Sequence, residues 1–85
     1  MRSTNHVEDY YDTGKPSPRQ LRVIELAAQG FKNNEIAREL GIGGHVVRNY
    51  MSVIFDKIGV NNRVELALWY EARLHEESLG VSERT

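Results

Sequence analysis

An all-α bundle of four helices follows from three features of the sequence: apolar residues recur at three- and four-residue spacing in four runs, each run has cap or glycine signals at its ends, and none alternates with the period of a strand. The chain has 85 residues, 40% hydrophobic and 27% charged, a composition typical of one small globular domain. A second domain is excluded by size, and an elaborate catalytic cleft is not expected.

Residues 1–16 lack apolar periodicity and end in the turn-forming cluster Thr13-Gly14-Lys15-Pro16, which predicts a flexible acidic arm. At Ser17-Pro18-Arg19-Gln20 the character changes. Ser with Gln three residues later is a capping box, and Pro at the first helical position needs no amide partner. Helix one therefore spans about 18–29, with Leu21, Ile24, Leu26, Ala27 and Ala28 as its apolar stripe and Gly30 past its end. A short second helix covers Asn33 to Leu40, with Ile36, Ala37 and Leu40 on one face and Gly41 as terminator. After only Gly41-Ile42-Gly43-Gly44, helix three runs over about 44–58, where Val47, Tyr50, Met51, Ile54, Phe55 and Ile58 repeat at helical spacing before Gly59. Asn62 is a cap for helix four, expected at about 62–75 and rich in the helix formers Leu, Ala, Glu and Arg. The domain is thus expected at 17–76, with 77–85 as a flexible tail.

Several chemistries are poorly served by this inventory. There are no cysteines, and His6, His45 and His75 are scattered, so neither a disulfide nor a metal site is expected. No nucleophile stands with a base, and Gly41-Ile42-Gly43-Gly44 lacks the Lys and strand context of a phosphate loop, so the expectation is a protein without catalysis or cofactor. No apolar run suits a membrane span or signal peptide, which points to the cytoplasm.

A net charge of -1 argues at first against a polyanionic partner. Its distribution argues the other way. Residues 15–63 hold eight cations (Lys15, Arg19, Arg22, Lys32, Arg38, Arg48, Lys57, Arg63) and four anions, a surplus of +4, whereas residues 1–14 carry -2 and residues 64–85 carry -3. Phosphate binding depends on such a local surplus, because what matters is how many counterions are displaced at the contact surface.

Helices two and three, joined by a tight Gly-containing turn, have the layout of a helix-turn-helix. From Ser17 to Ala67 the order of residues closely resembles the LuxR-type helix-turn-helix family, also called GerE-like. The matching stretches are Ser17-Pro18-Arg19-Gln20, Gln29-Gly30, Asn33-Asn34-Glu35-Ile36-Ala37, Leu40-Gly41-Ile42, Val47-Arg48-Asn49, Ile54-Phe55-Asp56-Lys57-Ile58-Gly59-Val60 and Asn62-Arg63. The resemblance implies a transcriptional regulator that binds double-stranded DNA, places helix three in the major groove and uses helix four for a homodimer on an inverted repeat.

If the apolar stripe of helix three faces the core, His45, Arg48, Asn49, Ser52 and Asp56 face outward. The expected base contacts are Arg48, which can donate twice to guanine, Asn49, which suits adenine or a phosphate, and Val47, which either touches a thymine methyl or belongs to the core. Expected phosphate contacts are Lys32, Asn33 and Asn34 at the start of helix two, Gly44, His45, Val46 and Tyr50 along helix three, and Lys57 near its end. Arg19 and Glu35 are expected to brace the fold internally, Arg19 through an ion pair, and Arg63 is a candidate for the same role. The chain departs from the family pattern in four places: Gly43 where a Ser usually caps helix three, Val46 for Thr, Tyr50 for His, and Lys32 for the Ser that caps helix two.

Helix four carries apolar residues on more than one face. Leu66, Ala67, Tyr70 and Leu74 form the expected core stripe, which leaves Val64, Leu68, Trp69 and Ala72 as the expected dimer surface. The alternative for Trp69 is to cover the domain's own core with Tyr10 and Tyr11. Because the arm is short, the chain reads as either a stand-alone regulator or an excised fragment. RNA polymerase is a further expected partner. A rival reading is an interaction module that uses this fold to hold RNA polymerase or another regulator without touching DNA.

Overall fold

The computed structural model describes residues 14–84, with side chains through Glu77. The helices are α1 (Pro18–Ala28), α2 (Asn33–Leu40), α3 (Gly44–Ile58) and α4 (Arg63–Arg84), and no strand occurs among the described residues. The expected arm, apart from its last three residues, lies outside them.

Local chemistry accounts for each boundary. At α1 the capping box is complete: Gln20 N–H donates to Ser17 Oγ at 3.2 Å, and Ser17 N–H donates to Gln20 Oε1 at 2.8 Å. Both helices of the central pair stop at left-handed glycines, Gly41 at φ 70° and Gly59 at φ 75°. Asn62 caps α4 by accepting from Glu65 N–H at 2.9 Å.

The core lies where the four helices converge. Val23, Ile24, Leu26 and Ala27 of α1, Ile36 and Ala37 of α2, Val47, Met51 and Ile54 of α3, and Leu66 of α4 are all buried. Val23 belongs to this core although it falls outside the stripe expected for helix one. Around it pack half-buried side chains, among them Leu21, Phe31, Leu40, Tyr50, Phe55, Ile58, Trp69 and Tyr70.

Two expectations for the fourth helix need correction. It does not end near His75 but continues as helix to Arg84, through most of the expected tail. Gly80 costs a helix about 1 kcal/mol relative to Ala, yet it forces no turn unless the backbone takes a left-handed conformation there. Leu74 is also not part of the core stripe: it is 47% exposed, and with Pro18, Leu21 and Tyr70 it borders an open groove between α1 and α4.

Candidate nucleic-acid interface

α3 is held by three fully or nearly buried side chains one helical turn apart, Val47, Met51 and Ile54. Their burial fixes its rotation, because positions on the opposite side of a 3.6-residue helix must then face solvent. His45, Arg48, Asn49, Ser52, Val53 and Asp56 are all exposed, while Gly44, Val46, Tyr50 and Lys57 on the flanks are half-buried. The outward face is thus as the sequence predicts. Val47 is different: at 0% exposure it is core, and the base contact offered as one of its two roles is withdrawn. A methyl group behind the helix axis cannot reach a base edge without unpacking the domain.

Neither helix of the central pair is capped by a side chain at its start. Lys32 precedes α2 and makes no side-chain cap bond, since an ammonium has no acceptor, and only Glu35 responds locally by accepting Lys32 N–H at 2.8 Å. The amides of Asn33, Asn34 and Glu35 therefore have no acceptor among the described residues. At α3, Gly43 offers no side chain. Val46 and Val47 N–H both turn to the Gly43 carbonyl, at 3.1 and 3.2 Å, and the amides of Gly44 and His45 stay open. Open first-turn amides at the positive end of a helix dipole are the groups that donate to an anion such as phosphate.

Arg63 braces this corner. Its guanidinium donates to the Phe31 carbonyl at 2.8 Å and to Asn33 Oδ1 at 2.5 Å, tying the start of α4 to the turn before α2. With Oδ1 taken, Asn33 presents its amide NH2 as the group still able to donate to a ligand. Lys57, expected at a phosphate, donates to Gln20 Oε1 at 3.3 Å, the same oxygen that accepts Ser17 N–H. Two of its three protons remain able to donate elsewhere, and the ammonium is positioned by the start of α1.

Arg19 is exposed and forms no ion pair among the described residues, so the internal pair expected for it is not made. Arg22 is neutralised instead, at 2.9 Å from Glu25 and 3.9 Å from Glu39. The cations that stay exposed and without an ion pair, among the described residues, include Arg19, Lys32, Arg38 and Arg48. Sequence reasoning overlooked Val53, which is 49% exposed on the outward side of α3. Its position four residues after Asn49 was the available signal. With Val46, Asn49, Tyr50 and Gln20 it lines a shallow, largely apolar depression of about 220 Å³ between α3 and the first turn of α1.

On α4, Val64 is 71% exposed and Leu68 is 60% exposed, and with exposed Ala72 they form a stripe of four-residue spacing. Trp69 does not belong to that stripe. It is half-buried against the core, and the Arg73 guanidinium lies 5.9 Å from its ring centroid. No helix among the described residues is long and apolar enough to cross a membrane.

The sequence that builds this domain recurs in known proteins. The chain is 45% identical over 60 residues to the transcriptional regulatory protein DesR of Bacillus subtilis (strain 168), a match covering 69% of this chain and 30% of DesR. To the two-component response regulator PprB of Pseudomonas aeruginosa it is 44% identical over 55 residues, 65% of this chain and 20% of PprB. To the nitrate/nitrite response regulator protein NarL of Escherichia coli (strain K12) it is 32% identical over 68 residues, 80% of this chain and 30% of NarL. The chain therefore spans less than a third of the length of each of these relatives. Residues 17–70 match the GerE family, so the chain belongs to the bacterial regulatory proteins of the luxR family.

Proposed function

We propose that this chain is a sequence-specific DNA-binding module of a cytoplasmic transcriptional regulator, without catalytic activity, that lays α3 in the major groove. The observation that carries the reading is the pairing of an exposed polar face on α3, His45, Arg48, Asn49 and Ser52, with open amides at the starts of both α2 and α3. Arg48 reads a guanine through two hydrogen bonds, and Asn49 lies beside it for adenine or a phosphate. The α2 amides, Lys32, Asn33 and Asn34 hold one phosphate strand, while Gly44, His45, Val46, Tyr50 and Lys57 follow the backbone along α3. Two copies join through Val64, Leu68 and Ala72, which sets two α3 helices on an inverted repeat. RNA polymerase is a second partner in this reading, consistent with the regulatory names of the relatives.

A salt-dependent titration against a pool of genomic duplexes tests it. Arg48→Ala should remove about 1–3 kcal/mol of sequence discrimination with little change in stability, whereas Lys57→Ala should weaken binding to every sequence and lower the salt slope by about one. Binding indifferent to both substitutions would favour an interaction module that holds RNA polymerase without reading DNA. For the dimer, sedimentation of Leu68→Glu is decisive: an unchanged dimer removes α4 from the interface.

A further inference from the structure

Val53 and Gln20, which line the depression between α3 and α1, make none of the proposed base or phosphate contacts, yet the depression is open and largely apolar. Two cations stand close to it in the chain: Lys57 donates to Gln20, which lines the depression, and Arg19 is exposed next to Gln20 in the first turn of α1, where no acid occurs between Gly14 and Ile24. Asp56, beside Lys57, is the exposed acid of α3. The chain enters the domain at this same place, because Ser17 N–H donates to Gln20 Oε1 at 2.8 Å and Gln20 lines the depression. Ahead of that point the sequence is Glu8-Asp9-Tyr10-Tyr11-Asp12, two aromatic rings among three carboxylates, which lies outside the described residues.

We propose that this arm segment is the occupant: a tyrosine ring of Tyr10 or Tyr11 seats against Val46, Tyr50 and Val53, and the flanking carboxylates face Lys57 and Arg19. Tyr11 is six residues before Ser17, and an extended chain spans roughly 3.3 Å per residue, so a reach of about 20 Å is available for a seat that begins beside Ser17. A second opening, the groove between α1 and α4, borders Pro18 in the first turn of α1. Its arginines, Arg22 and Arg73, are already paired with Glu25, Glu39 and Glu77, so it offers an acidic segment no surplus charge. A seated arm covers the flank of α3 that Val46, Tyr50 and Lys57 present, and so competes with duplex DNA. This consequence rests on the DNA-binding reading, whereas the seat itself does not.

The test compares the full 85-residue chain with its Tyr10→Ala/Tyr11→Ala variant by methyl NMR and by duplex titration. Ring-to-methyl contacts from tyrosine to Val46 and Val53 should appear in the parent chain, be independent of concentration, and vanish in the variant. Short tethers give effective concentrations near the millimolar range, so releasing a weak intramolecular competitor should tighten duplex binding about two- to tenfold at low salt. Absence of those contacts, or contacts that grow with concentration as a second copy would require, overturns the seat. Unchanged duplex affinity in a variant that has lost the contacts overturns the competition. Should neither chain bind any duplex, the DNA-binding reading fails and the NMR contacts alone decide the seat.

Discussion

The residues that precede α1 and α4 accept a first-turn amide with their side chains, and those that precede α2 and α3 do not; at α2 only Glu35 turns back, onto Lys32 N–H. Ser17 and Gln20 close the start of α1, and Asn62 closes α4, while Lys32 and Gly43 leave the first-turn amides of the central pair open. A helix whose amides are satisfied internally gains about 1 kcal/mol from its cap and has little left there to offer a ligand. A helix without a cap keeps its unpaired amides for an anion and must be held in place by packing and by ties from elsewhere. The domain is divided in this way into a scaffold of two self-capped helices and a pair that depends on them.

That division makes the dependence of α2 measurable. Ile36 is its fully buried anchor, so Ile36→Ala should cost about 2–5 kcal/mol in chemical denaturation, more than loss of any single tie or cap. A loss under 1 kcal/mol would mean that α2 is held by something other than its apolar face. Arg63→Ala comes next. It removes two charge-assisted hydrogen bonds that span from α4 to the Phe31 carbonyl and Asn33, with an expected cost of about 1.5–3 kcal/mol. Its effect should concentrate at the start of α2, so amide exchange of residues 33–36 should accelerate more than exchange in α1. Uniform acceleration would show that Arg63 serves the whole fold equally.

Cap substitutions test the contrast more finely, because they should act with opposite signs in the two classes. Ser17→Ala should destabilise by about 1 kcal/mol and leave duplex affinity within error. Lys32→Ser should stabilise by about 0.5–1 kcal/mol, since it supplies the missing acceptor, and at the same time weaken duplex binding and lower the salt slope. A Lys32→Ser variant that gained stability and kept its affinity would detach the open amides from phosphate binding.

The first three helices are legible in the sequence because their ends carry chemistry that acts within four residues: a capping box, and glycines that alone tolerate the left-handed turn. Lack of such a signal is also why α4 runs past its expected end, since a glycine inside a helix looks the same in sequence as one that stops it. The outward face of α3 is legible from periodicity, although periodicity alone leaves Val47 between base contact and core. Arg63 is legible as a candidate brace, but the partners of the ties that place the site are not. Arg63 bonds a main-chain carbonyl some thirty positions away, and Lys57 shares an oxygen with a cap in another helix, contacts that no local pattern encodes. For Arg19 the ion pair rests on family resemblance, and among the described residues it has none.

The smallest effect separates two explanations for the open start of α3. Gly43 has backbone angles any residue adopts, φ -77° and ψ 155°, so conformational freedom does not require glycine there. Space bears on it only through one movable side chain: a Cβ at this position would stand 2.9 Å from His45 Cε1 and 3.0 Å from Nδ1, atoms of an exposed imidazole that folds back over the glycine. Gly43→Ser should therefore gain less than the few tenths of a kcal/mol that a serine cap offers over glycine, since the ring must first swing away. In a His45→Ala background the full increment should appear. The difference between the two increments, from urea midpoints of the four proteins, is the coupling between ring and cap. Equal increments would show that the imidazole moves at no cost, and the open amides of Gly44 and His45 would then be a matter of composition alone. A positive coupling would show that the imidazole at position 45 opposes a side-chain cap on its own helix.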